Sequence, residues 1–240
     1  MEMSADIGGP MPCLLFITIV VLIVVGIVYS VMKARQRREA LQSLAAELGL
    51  TFYPDDPWDL PGRYGHMDLF QTGHSKKASN VLAGQMDGRE VVAFDYQYTT
   101  GSGKNSHTSY FQAAVFEMPI VAPRLWLRRE NVLDKIASWV GHDDLDFESA
   151  EFSGRYHVKC VEPKFAYDIF HNRLIEYLLG CGQAPAMEMN GPLLLLLYES
   201  GSGRPERVRR LLEIGREIIR SIPDYVRRER GIGASTGGRS

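Results

Sequence analysis

The stretch that most resembles a chemical motif is Gly101-Ser102-Gly103-Lys104-Asn105. A Gly-Ser-Gly-Lys run can cradle phosphate with backbone N–H groups and a lysine. The full motif is G-x-x-x-x-G-K-[ST] leading into a helix. Here Tyr98 stands at the first glycine position and Asn105 at the serine or threonine position. The residues that follow, Ser109-Tyr110-Phe111-Gln112, alternate like a strand. The run therefore reads as a flexible hairpin loop. Lys104, Asn105 and His107 on that loop, with Tyr96 and Tyr98 on the strand before it, make the candidate contact surface.

The other constellations are weaker. Gly201-Ser202-Gly203 precedes a helix whose N-terminal N–H groups could hold an anion, but Glu206 in the first turn already supplies negative charge. Six histidines, at 66, 74, 107, 142, 157 and 171, show no helical i, i+4 pair and no H-x-H strand pair. Zinc would want cysteines at short spacing, and none are so placed. His142, Asp143, Asp144, Asp146 and Glu148 cluster without the regular oxygen spacing or sharp-turn glycine of a calcium loop. Cys160 and His157 are three apart on a strand reading, which sends them to opposite faces. No catalytic, metal or cofactor set is assigned.

These residues hang from a membrane element. Cys13 to Met32 is a run of uncharged, mostly aliphatic residues. About 20 apolar residues in a helix cross a bilayer core of ~30 Å. Lipid offers no partner to free backbone groups, so the run must be helical. Glu2 and Asp6 precede it, and Lys33, Arg35, Arg37 and Arg38 follow it. Positive charge near a span stays on the cytoplasmic side. The expected arrangement is a tail over 1–12 outside, a span over 13–32 and a C-terminal part in the cytoplasm. A cleaved signal peptide would want a basic n-region and a shorter run. Cys13 precedes the apolar run, unlike a lipoprotein cysteine, and leaves acylation open.

Composition narrows the classes. The chain has 27 Lys and Arg against 29 Asp and Glu, and only Glu2 and Asp6 lie before the span. The part beyond the span is formally neutral, which argues against a nucleic-acid partner. Cys160 and Cys181 form no CxxC pair, which fits reduced thiols in a cytoplasm. Residues 204–230 hold nine arginines against five carboxylates. Together with Lys33, Arg35, Arg37 and Arg38, the candidate lipid-headgroup contacts, this face could meet an anionic inner leaflet at ~1 kcal/mol per cation.

The pattern beyond the span is mixed. Leu41, Leu44, Ala45 and Leu48 give a helical stripe over 33–49 ended by Gly49. Leu50 to Tyr53 reads as a strand. Asn80 to Met86 and Glu90 to Thr99 read as a hairpin about Asp87-Gly88, with Val92, Phe94, Tyr96 and Tyr98 on one face. Further strands are expected over 108–118, 124–127, 147–161 and, as a run buried on both faces, 193–198. Helices are expected over 130–140, 164–179 and 205–222, and disorder from Gly231.

Two stretches carry a resemblance. Phe94 to Thr108, FDYQYTTGSGKNSHT, and Phe152 to Leu179, with Phe152, Arg155, Tyr156, Val158 and Ala166 as the main matches, resemble an uncharacterised family of bacterial membrane-anchored proteins, a domain of unknown function. The resemblance covers about residues 35–222 and implies one or two spans followed by an α+β cytoplasmic domain. It implies no activity.

The sequence thus predicts an α+β protein: a tail over 1–12, a transmembrane helix over 13–32, a juxtamembrane helix over 33–49, a domain of antiparallel sheet with packed helices over 50–230, and a tail over 231–240. The expected role is a non-enzymatic interaction module at the inner membrane face, with the bilayer and a protein as partners. The alternative is a tethered enzyme, such as a hydrolase, with a site that spacing does not reveal.

Overall fold

The computed structural model describes residues 11–129, 144–199 and 204–232. The helix expected over 130–140, His142, Asp143 and residues 201–203 lie outside the described residues. The chain divides into two units, residues 1–40 and 41–240.

Helix α1 runs over Met11–Glu47 and is long and apolar enough to cross a membrane. Every residue from Leu15 to Met32 is exposed, an aliphatic surface on all sides of the helix. In water such a helix would be penalised along its whole length, at roughly 1.5–3 kcal/mol for each exposed Leu, Ile or Val. Its last turns belong to the second unit, where Leu41, Leu44 and Ala45 are buried. Gly49, at φ 69°, ends it. Leu50 N–H reaches Ala45 O at 2.8 Å and Gly49 N–H reaches Ala46 O at 3.3 Å, a complete Schellman cap.

The second unit is built on a six-stranded antiparallel sheet: β1 Thr51–Asp55, β2 His74–Met86, β3 Arg89–Thr100, β4 His107–Arg129, β5 Tyr156–Cys160 and β6 Ala186–Glu199. β1, β2, β3 and β4 pair in sequence order. β6 runs along one side of β4, while β3 and β5 take successive stretches of the other. The β2–β3 hairpin turns at Asp87-Gly88, both at positive φ, as a two-residue turn demands.

Two cores sandwich this sheet. One face carries Val91, Ala93, Leu194 and Leu196, packed against the end of α1, α4 (Ala150–Arg155), α5 (Pro163–Ile169), α6 (Asn172–Gly180), α7 (Pro205–Ser221) and α8 (Asp224–Arg230). The other carries Val92, Phe94, Tyr96, Tyr98, Leu195 and Leu197, roofed by the short helices α2 (Leu60–Arg63) and α3 (Asp68–Gln71). The apolar run over 193–198 is thus buried from both sides, and α+β describes the whole.

Four local expectations change. The strands expected over 108–118 and 124–127 are one strand, β4. It tolerates Pro119 and Pro123 because its register with β6 shifts between Glu117 and Ala122 and again before Leu125, and prolines sit where the ladder is broken. The strand expected over 147–161 begins as helix α4: the Ser149 side chain accepts from Phe152 N–H at 3.2 Å, and Phe152 is fully buried. The helix expected over 164–179 breaks at Phe170. His171 restarts it as α6, its Nδ1 accepting from Leu174 N–H at 3.4 Å while Nε2 meets Ser221 O at 2.9 Å. Gly231, placed by its sequence at the start of a disordered tail, bridges Ile120.

Candidate functional site

The sequence-derived contact residues separate. Tyr96 and Tyr98 are 2% and 1% exposed, within the second core beneath Phe70. Phe70 and Tyr96 pack edge to face at 5.0 Å, and Tyr98 stacks on Phe111 at 5.4 Å. Burial pushes the Tyr96 hydroxyl pKa up. Two tyrosines held this way are core, not surface. The alternation of strand β3 pointed to one shared face, and the helices covering that face were not visible in it. Lys104 and Asn105 are exposed on the loop between β3 and β4, and His107, also exposed, is the first residue of β4. The loop is well defined: Gly101 at φ 72° brings its α-carbon so close that a Cβ would meet Asn105 O at 2.4 Å, and His74 Nε2 bonds Gly101 O at 2.9 Å.

The basic flank of the apolar run, Lys33, Arg35, Arg37 and Arg38, lies on α1. Arg35 pairs with Glu39 at 3.0 Å across one helical turn, an exposed pair worth a few tenths of a kcal/mol.

A buried charged cluster was not anticipated. Asp68, at the first turn of α3, is 1% exposed. Its carboxylate accepts from Trp126 Nε1–H at 2.7 Å and from Arg124 at 2.9 Å. Its backbone N–H donates to Glu188 Oε2 at 3.0 Å. Arg124, Trp126 and Arg128 alternate along β4 and so share a face, and Glu188 stands opposite Trp126 on β6. The Arg124 guanidinium lies over the Trp126 ring at 5.5 Å and also donates to His66 O at 3.2 Å. Arg128 and Glu188 are each 4% exposed.

Burial and the charge of Asp68 raise Glu188 to about 8, and burial lowers Arg128 to about 10. A carboxyl poised near neutrality is the form a general acid takes. Here it is buried beneath α3, bonded to the Asp68 N–H. The cluster acts as a clasp that holds α3 on the sheet. It escaped the sequence reading because Asp68 and Glu188 are 120 residues apart and each looks like an ordinary surface charge.

The clasp carries a pH signature. Below about pH 4.5, the ordinary value, Glu188 is protonated in folded and unfolded chains alike. Between there and about pH 8 the unfolded chain loses this proton and the folded chain keeps it, so this group makes stability fall as pH rises. Glu188→Gln is expected to remove that component and to be more stable than wild type at pH 9 by about 2 kcal/mol, the scale for a buried polar group short of partners. Thermal unfolding across pH 5–9 reads this out; parallel profiles for the two proteins would contradict it.

The histidines, carboxylates and thiol along the sheet are spread apart. His107 opens β4, whereas His157 pairs with Arg128 at its far end and bonds Asp144 at 2.9 Å. Asp95 accepts from Asn80 at 2.7 Å in mid-sheet. Cys160 is buried opposite Leu125, and its thiol pKa is raised by that burial. Among the described residues, no three His, Cys, Asp or Glu side chains are grouped as metal ligands.

No protein-family model matches the chain, and no curated protein does. The fold is similar to that of a solved mycobacterial protein. The crystal structure of the mycobacterial trehalose monomycolate transport factor A, TtfA, superposes with a TM-score of 0.55 at 16% identity, covering 79% of this chain and 97% of that one. At that identity the likeness shows the fold alone. The family resemblance drawn from Phe94–Thr108 and Phe152–Leu179 gains no match to a family of its own.

Proposed function

We propose that this chain is a single-pass membrane protein of a bacterial inner membrane, whose C-terminal domain acts as a non-enzymatic interaction module at the cytoplasmic face. One observation carries this reading: an uncharged helical run, Leu15–Met32, exposed on every side, with Lys33, Arg35, Arg37 and Arg38 directly after it. Such a surface needs lipid around it, and such a flank belongs on the cytoplasmic side. In this reading 1–12 is an outer tail, 13–32 the span, 33–49 a juxtamembrane helix, 50–230 the cytoplasmic domain and 231–240 a tail. The name of TtfA describes a transport factor; a shared fold does not transmit function, but it directs the search for partners toward membrane transport proteins. Lys104, Asn105 and His107 are the proposed protein-contact residues.

Two experiments bear on this. Replacing Lys33, Arg35, Arg37 and Arg38 by asparagine is expected to abolish the orientation bias, so that C-terminal reporters divide between the two sides; an unchanged single orientation would assign it to another determinant. Cross-linking and affinity capture of the anchored chain are expected to recover a partner that the Lys104→Ala, Asn105→Ala, His107→Ala variant loses. Equal recovery by the variant, or specific turnover by the purified full chain, would overturn the module reading.

A further inference from the structure

We propose that the cleft between the β2–β3 hairpin and the end of α7 binds a phosphate group carried by an ester. The cleft has a volume of about 300 Å³, with Met86, Phe116 and Ile219 as its apolar part. Four arginines line it, Arg89, Arg216, Arg220 and Arg227, with Asp87 and Glu90 as the acidic residues.

Those carboxylates are already engaged. Asp87 accepts from Arg216 Nε and a terminal nitrogen at 2.7 and 2.6 Å, a bidentate pair, and from Arg220 at 3.1 Å. The bond from Arg216 holds the Asp87 carboxyl below its ordinary range. Glu90 is turned to Arg63 at 3.3 Å. Arg227 spends donors on the carbonyls of Ile222 and Ile219 at the end of α7, at 2.9 and 2.6 Å, and among the described residues it pairs with no carboxylate.

Two cations are therefore under-matched. Arg220 shares a carboxylate that Arg216 grips in both oxygens, and its side chain is 54% exposed. Arg89 opens β3 and has no hydrogen-bond or ion-pair partner among the described residues. A concave wall of cations concentrates anions, and a guanidinium fork matches the geometry of phosphate oxygens. The apolar part beside the arginines suits an ester with a carbon body. A phospholipid headgroup and a soluble phosphate ester share this chemistry. The cleft belongs to the 41–240 unit and does not depend on which side of a membrane that unit lies.

The test uses the full chain in neutral sugar-detergent micelles. Dihexanoyl phosphatidic acid and glycerol 3-phosphate are titrated by calorimetry, with Arg89→Ala/Arg220→Ala as the variant. Both side chains are partly or largely exposed, so the variant is expected to keep the wild-type circular dichroism. Arg220→Ala alone provides a second, milder variant. The expected result is saturable binding to wild type, at least tenfold weaker in the double variant and intermediate in the single one. A tenfold preference for the lipid assigns the headgroup as ligand, and equal affinities assign the soluble ester; either supports a phosphate site. Failure of both probes to bind wild type, or undiminished binding in the double variant, would overturn the proposal.

Discussion

Alanine at Asp68 is expected to destabilise the second unit by about 4 kcal/mol, the range for breaking a buried ion pair by removing one partner. The substitution strands three groups at once. Trp126 Nε1–H loses its acceptor, Arg124 loses its 2.9 Å partner, and Arg128 stays buried with less negative charge beside it. Glu188 would remain, still buried but relieved of the Asp68 charge, and at 4.0 Å from Arg124 it replaces only part of what is lost. Asp68→Asn keeps an oxygen for the Trp126 N–H and removes the charge, so it should cost about half as much. The loss should be local first, because α3 is held at its N-terminus by this cluster. Hydrogen exchange of the full chain is expected to show amides over 67–71 opening before those of β3 and β4. A loss of less than about 1 kcal/mol on Asp68→Ala would mean that apolar packing, not the clasp, holds the roof.

A smaller but sharper loss is expected at Gly215. Helix α7 crosses β4 there so closely that a Cβ would lie 2.2 Å from Phe116 Cε2 and 2.3 Å from Cζ. Phe116 is 3% exposed, so its ring has little room to yield. Gly215→Ala gains about 1 kcal/mol in helix propensity and loses more to overpacking, for a net cost of about 2 kcal/mol. Shortening the facing ring with Phe116→Leu should restore most of it in the double variant, even though Phe116→Leu alone costs stability. A double-mutant cycle in thermal unfolding measures that coupling. Additive losses would show that α7 shifts freely on the sheet.

The two sites mark the boundary of what local sequence pattern reveals. Asp87-Gly88 was legible because its turn chemistry is written in two adjacent residues. The β3 alternation and the 193–198 run were legible because burial repeats at the strand period. The break at Phe170 was not, since an interrupted apolar stripe is hidden when both halves keep the helical period; only the His171 cap, bonded to Ser221 across the fold, marks it. The clasp was invisible for a related reason. Asp68, Arg124, Trp126, Arg128 and Glu188 are polar or amphipathic residues whose burial depends on α3 landing over β4 and β6. Gly215 is a point of close approach between α7 and Phe116 of β4 that no local pattern marks. The alternation of β3 shows one aromatic face, but the roof over it comes from residues 60–71, whose two four-residue helices are too short for a helical period to show.

The arginine cleft and the loop residues Lys104, Asn105 and His107 lie on exposed parts of the same unit and can be separated by experiment. Variants of the cleft should alter phosphate-ester binding and leave protein capture through the loop unchanged. Variants of the loop should do the reverse.

The most direct test of the membrane-anchored reading is a dual reporter fused after Ser240 in full-length chains expressed in a bacterium, combined with alkaline carbonate extraction. The expected result is a chain that stays in the membrane pellet, with a fluorescent C-terminal reporter active and a periplasm-dependent phosphatase silent. Release by carbonate, or a phosphatase active while fluorescence is silent, would contradict it.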